Sequence, residues 1–154
     1  MHTQQRIIFN KELITKYRLE HGITQAELAR RLDVSKNAIS FWESGKRTPM
    51  PKSIDMLVES IGIPHEQWYE INDKTFGAKL TSMRLRNNIA QNDLAKMIGT
   101  SSENINRWEA DRHVPSIFYI YQLSKVLNTT MEYLITDSKG NVLVTDPHST
   151  IELD

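Results

Sequence analysis

The stretch that decides the fold occurs twice: Ser40–Pro49 reads SFWESGKRTP and Asn106–Pro115 reads NRWEADRHVP. Trp-Glu holds the same place in both, and proline follows at the same distance, one step of 66 residues apart. Working outward, 13–49 aligns with 79–115 without a gap. Twelve of these 37 positions are identical: Thr15/Thr81, Arg18/Arg84, Leu19/Leu85, Ile23/Ile89, Gln25/Gln91, Leu28/Leu94, Ala29/Ala95, Ser35/Ser101, Ile39/Ile105, Trp42/Trp108, Glu43/Glu109 and Pro49/Pro115. Ordinary composition gives about two or three by chance. The register runs on through Leu57/Leu123 and Glu66/Glu132. Two copies of one domain are therefore expected, over 1–72 and 73–137, with a tail at 138–154. The connecting EINDKT spans at most ~20 Å, so the copies are expected to lie close together and to move as a coupled pair.

Each copy reads as helices. Asn10 is placed to cap the first, with Phe9 and Ile14 as its hydrophobic staple, and Gly22 to end it. Thr24 with Glu27 three residues on forms a capping box for the second, stapled by Ile23 and Leu28. Leu28, Ala29 and Leu32 share one face of that helix. Ser35 caps a third helix after the tight turn DVS, and Ile39 and Trp42 point one way from it. Pro51 and Pro64 suit the first turns of a fourth and a fifth. In the second copy Ala90 stands where the capping Thr24 stood, so that helix start is expected to be weaker by ~1 kcal/mol.

Composition narrows the function. The chain has 154 residues, 39% of them apolar and 25% charged, with nineteen basic and nineteen acidic side chains. No uniformly basic coat exists, so any nucleic-acid binding must rest on local placement of charge. No apolar run approaches the ~18 residues of a membrane span, and the N-terminal apolar stretch is too short for a signal peptide. The absence of cysteine excludes disulfides and thiolate metal sites and fits a reducing cytoplasm, so a cytoplasmic location is expected. There is no G-x-S-x-G, Walker loop, G-x-G-x-x-G or H-E-x-x-H, and the five histidines are scattered. No catalytic residue, cofactor or metal is expected.

Q-x-x-L-A followed by S-x-x-x-I-x-x-W-E is a specific pattern. Read as TQAELARRLDVSKNAISFWESGKRTP, it resembles the lambda-repressor-like (Cro/CI, Xre-type) helix-turn-helix family. AQNDLAKMIGTSSENINRWEADRHVP resembles it somewhat less. The two copies cover about 125 of the 154 residues. The resemblance implies an all-α chain of two tandem five-helix domains that bind double-stranded DNA. The third helix of each would lie in the major groove and the second would cross the backbone.

Residues follow from that placement. Gln25 and Gln91, at the first turn of helix two, sit where free N–H groups and the helix dipole favour phosphate. Ser35, Lys36 and Asn37, with Ser101, Ser102 and Glu103, open helix three, whose N-terminal end reaches base edges. Lys suits guanine O6/N7, Asn suits adenine N6/N7, and Glu accepts from cytosine N4. Ser40 and Phe41 match Asn106 and Arg107 one turn on. Arg107 can read guanine or hold phosphate, whereas Phe41 can meet a thymine methyl or pack on its own domain. Lys46, Arg47 and Arg112 fall in the loop behind helix three as phosphate neighbours, and His113 can join them. Asp111 replaces Gly45, which puts the shape of the second loop in question. Trp42 and Trp108 are read as core rather than base-stacking residues. The resemblance implies structural ion pairs Arg18–Glu43 and Arg84–Glu109, tying helix one to the end of helix three.

The expected function is a sequence-specific transcriptional regulator, a repressor of phage or mobile-element type. The alternative is a protein-interaction module, an antirepressor or inhibitor, whose second domain docks a partner protein. In the tail, NVLVT and TIEL flank a D-P turn signal. They can form a hairpin on the second domain, exchange as a strand between subunits in self-association, or remain a solvated acidic tail.

Overall fold

A computed structural model describes residues 8–144. The chain divides into two compact units, Phe9–Tyr69 on one side and Ile8 with the described residues from Glu70 onward on the other. The first unit contains α1 (Glu12–Glu20), α2 (Gln25–Leu32), α3 (Lys36–Ser44) and α4 (Pro51–Ile61), then one 3₁₀ turn, His65–Gln67. The second contains α5 (Phe76–Arg86), α6 (Gln91–Ile98), α7 (Ser102–Glu109), α8 (Ile117–Val126) and α9 (Met131–Ile135). Shifted by 66 residues, α2 and α6 coincide at both ends.

The helix starts follow the capping chemistry of the sequence. Thr24 accepts a hydrogen bond from the Glu27 N–H at 3.0 Å, and Ser35 from Ala38 N–H at 3.1 Å. Ser101 accepts from Asn104 N–H at 3.2 Å, whereas Ala90 offers α6 no side-chain cap. The side chain of Glu27 does not complete a capping box. Its carboxylate pairs instead with Arg30 and with Arg31, the latter at 3.2 Å. Pro51 takes the first turn of α4.

The helix ends carry a pattern across the two copies. Four matching pairs have positive φ: Gly22/Asn88, Asp33/Gly99, Gly45/Asp111 and Gly62/Asn128. One member of each pair is glycine, and the other is Asn or Asp, the side chains that best tolerate the left-handed region.

Both cores use one set of positions. Ile14, Leu28, Ala29, Leu32, Ile39, Trp42, Ile54, Leu57 and Trp68 are buried in the first unit. At the same register Leu80, Leu94, Ala95, Ile98, Ile105, Trp108, Ile120, Leu123 and Leu134 are buried in the second.

The two-residue strands β1 (Ile8–Phe9) and β2 (Tyr69–Glu70) pair with each other. Three sequence expectations change as a result. The fifth helix of the first copy shrinks to the 3₁₀ turn, because the chain must extend at Tyr69 where α9 is still helical. Phe9, expected as the staple of α1, stacks its ring on Trp68 at 5.8 Å and meets Tyr69 edge-on at 6.3 Å. Asn10 does not cap α1 through its side chain, since its amide donates to the Gln67 carbonyl at 3.0 Å and Lys11 holds the cap position.

Part of the tail packs on the second unit. Thr136 and Val142 form an antiparallel bridge around a turn closed by Asp137, and Val144 joins the core. The partner of Val142 and Leu143 is thus the end of α9 and the residue just after it, Ile135 and Thr136. TIEL lies outside the described residues. The buried Lys79 organises this end by donating to the carbonyls of Tyr133 and of Thr136, the latter at 2.7 Å. Its Nζ also lies 3.6 Å from the Tyr133 ring centroid. Burial pulls the Lys79 pKa below its ordinary value, while the charges of Asp73 and Asp137 act in the opposite direction.

Candidate nucleic-acid interface

α2 and α3 are joined by a turn of three residues. The Val34 N–H reaches back to the Ala29 carbonyl at 2.9 Å, with Asp33 in the left-handed conformation. This Schellman closure terminates α2 and sets the entry of α3. Ile39 and Trp42 anchor one face of α3 in the core, with Trp42 only 7% exposed. The other face therefore turns outward, with Lys36 and Asn37 exposed and Ser40 partly so. The second unit repeats this with Ile105 and Trp108 buried and Glu103, Asn106 and Arg107 exposed. Neither tryptophan presents a free ring for base stacking. Ser35 and Ser101 cap their helices through the hydroxyl oxygen, which leaves the O–H as a donor.

One four-part network fixes the helix pair in each unit. The Arg18 guanidinium binds Glu43 through both oxygens, at 2.9 and 3.2 Å, and donates to the Ile23 carbonyl at 3.2 Å. Gln25 donates to the same carboxylate at 3.0 Å. Arg84, Glu109, Ile89 and Gln91 repeat every bond, with Arg84 Nε 2.6 Å from Glu109 and Gln91 2.9 Å away. Each network joins the first helix of its unit, the start of the second and the end of the third. The glutamine amide is thereby held at the helix N-terminus with its second N–H still to donate. Burial pushes the Glu43 carboxyl up. The bonds from Arg18 and Gln25, the Arg18 charge and the Thr15 hydroxyl together hold it below its ordinary value.

Behind the third helix the two copies diverge. In the first, Gly45 turns the chain at φ 86°, and the Arg47 N–H returns to the Phe41 carbonyl at 3.3 Å. Lys46 Nζ and the Arg47 guanidinium lie 5.7 and 5.4 Å from the Phe41 ring centroid. In the second, Asp111 keeps the turn at φ 61°, so the exchange with Gly45 preserves the loop's left-handed step. Its carboxylate accepts from the Thr75 hydroxyl and the Gly77 N–H, both at 2.8 Å, which caps α5 from outside. Gly77 is required there: a Cβ would stand 2.4 Å from the Glu109 carbonyl oxygen. The only local sequence signal of this cap is Thr75 just ahead of a helix.

Six of the sequence-predicted residues come together in the second unit. Gln91, Ser102, Glu103, Asn106, Arg107 and Arg112 line one open cleft of about 400 Å³. Arg107 also reaches Asn104 Oδ1 at 3.3 Å. The two reading segments differ in charge. Over 25–47, Arg30, Arg31, Lys36, Lys46 and Arg47 outnumber Glu27, Asp33 and Glu43. Over 91–113, Lys96, Arg107 and Arg112 face Asp93, Glu103, Glu109 and Asp111. The first copy therefore carries the more positive local field.

Among the described residues no group of acidic, His or Cys side chains is arranged to hold a metal, and no helix is long and apolar enough to cross a membrane. A family model described as helix-turn-helix matches residues 14–68 and again residues 80–134. No curated protein and no solved structure matches this chain.

Proposed function

Because this chain belongs to the helix-turn-helix family, whose domains bind DNA in transcription regulators, we propose that it is a sequence-specific repressor of the type carried by phages and mobile elements. Two domains occupy one operator and occlude a promoter. The observation that carries this reading is the outward face of α3 and of α7, opposite Ile39/Trp42 and Ile105/Trp108. On this reading Lys36, Asn37 and Ser40, and Glu103, Asn106 and Arg107, all on those exposed faces, are the side chains that meet base edges. Gln25 and Gln91, Lys46, Arg47 and Arg112 serve the phosphates.

The two half-sites differ in sequence. Lys36 and Asn37 suit guanine and adenine, and Glu103 with Arg107 suits cytosine and guanine. Each good contact discriminates by about 1–3 kcal/mol, so a wrong base weakens binding roughly 5- to 150-fold. Selection of bound duplexes from a random pool tests this. Asn37→Ala is expected to relax preference in one half-site only, and Arg107→Ala in the other only. A perfect palindrome covered by one molecule would contradict the assignment.

One observation favours a second reading, in which the second unit docks a partner protein. α8 exposes Ile117, Phe118 and Tyr121, where α4 exposes Pro51, Lys52 and Asp55 at the same register. Under that reading the selected site has a single half-site and Arg107→Ala leaves it unchanged.

A further inference from the structure

Phe41 is half-buried on α3, beside the polar Asn37, Ser40 and Ser44, and the contacts proposed above leave it without a role. Its surroundings supply one. Its carbonyl accepts from the Ser44 hydroxyl at 3.2 Å and from the Arg47 N–H at 3.3 Å, so the loop behind α3 folds back onto residue 41. The Ser44 hydroxyl in turn accepts from the Lys46 N–H at 3.4 Å. Both loop cations lie within the ~6 Å reach of a cation–π contact with the Phe41 ring. Two adjacent cations repel each other, and the negative face of one ring offsets part of that repulsion. The C-terminal end of α3 adds the favourable sign of its dipole.

The internal repeat provides the control. At the matching position Arg107 offers no ring, and its guanidinium turns to Asn104. Arg47 is matched there by His113, and the Arg112 N–H takes the bond to the carbonyl of residue 107 at 2.9 Å. The aromatic platform and its pair of permanent cations belong to the first copy alone.

We propose that Phe41 is a positioning residue for backbone contact: its ring holds Lys46 and Arg47 ready for two operator phosphates, and makes the first helix-turn-helix the salt-sensitive anchor of the chain. This rests on the DNA-binding reading above. A side chain already ordered before binding loses less freedom on binding, so the platform acts on affinity for every sequence and leaves base preference alone.

The test uses the full chain, the duplex it selects from a random pool, and single-base variants of that duplex, over a range of salt concentrations. Phe41→Ala is expected to weaken binding about 5- to 10-fold on all duplexes alike. It should also flatten the dependence of log K on log salt by up to about 2, at ~0.9 per phosphate contact. Phe41→Tyr and Phe41→Trp should retain affinity and slope. With Lys46→Gln and Arg47→Gln already in place, Phe41→Ala should add nothing. Lost discrimination at one base pair with an unchanged slope would overturn the proposal in favour of a thymine-methyl contact. A slope that Phe41→Trp fails to restore, despite a wild-type melting temperature, would overturn it too. If the unaltered chain enriches no duplex, the DNA-binding reading fails and this role fails with it. Enrichment with an unaltered Phe41→Ala slope removes only the role of Phe41.

Discussion

Replacing Arg18 by alanine should destabilise the first unit in a way that depends on pH. The Arg18 and Glu43 side chains are 17% and 8% exposed, and their bidentate pair is the main support of the carboxylate. Arg18→Ala leaves Glu43 largely buried, with the Gln25 amide as its remaining strong donor. Breaking a buried pair from one side costs about 3–5 kcal/mol. The residual exposure of Arg18 places this case at the low end, ~3 kcal/mol, or roughly 12–24 °C in the melting of a unit this small. The sign with pH follows from Glu43, whose pKa is depressed in the fold. Its contribution is complete above its unfolded pKa and is lost as pH falls through the folded value. The penalty of Arg18→Ala should therefore be full at neutral pH and shrink in acid, where Glu43 is protonated in both proteins. Native-state hydrogen exchange of the full chain reads this at the amides of Leu28, Leu32 and Ile39. Arg18→Met with Glu43→Leu should recover most of the loss, because both charges leave together. A variant that keeps its exchange protection at neutral pH but loses DNA affinity would refute the structural role.

Other expectations follow from the same comparison of copies. Ala90→Thr supplies α6 with the missing cap and should stabilise it by about 1 kcal/mol, measured by exchange at Leu94 and Ile98. Asp33→Gly relieves a left-handed Asp and should raise stability in urea by about 0.5–1 kcal/mol. Asp111→Gly should lower it despite the same backbone relief, because the cap on Gly77 and Thr75 is lost. Lys79 has a folded pKa below its unfolded one, so stability should rise with pH from the folded value towards the unfolded value. Urea unfolding of Lys79→Met against the unaltered chain should show that rise missing in the variant.

Local chemistry made most of the architecture readable. The nine core positions recur at one register because the same apolar period and the same Trp-Glu stop appear in each copy. Thr24, Ser35 and Ser101 cap as their side chains dictate. Long-range partners were not readable. Asn10 and Phe9 look like a local helix start but are taken over by Gln67, Trp68 and Tyr69, nearly sixty residues away. Asp111 looks like a flaw in a loop and turns out to cap a helix that starts over thirty residues earlier. Lys79 sits where the first copy has Leu13, and no local pattern announces that its amine is buried against the end of α9. At the interface, residue types and their helix were legible, whereas the ring beneath Lys46 and Arg47 required the folded loop.

The central claim is that α3 and α7 both read DNA. Titrating the isotopically labelled full chain with its selected duplex, and following backbone amides by NMR, tests it most directly. Shifts are expected at the starts of both helix pairs, around Gln25 and Lys36–Asn37 and around Gln91 and Ser102–Glu103. Side-chain shifts are also expected at Arg107, with the amides of α4 and α8 little changed. Shifts confined to the first unit would contradict the claim and assign the second unit to a protein partner; shifts in neither would remove DNA from the account.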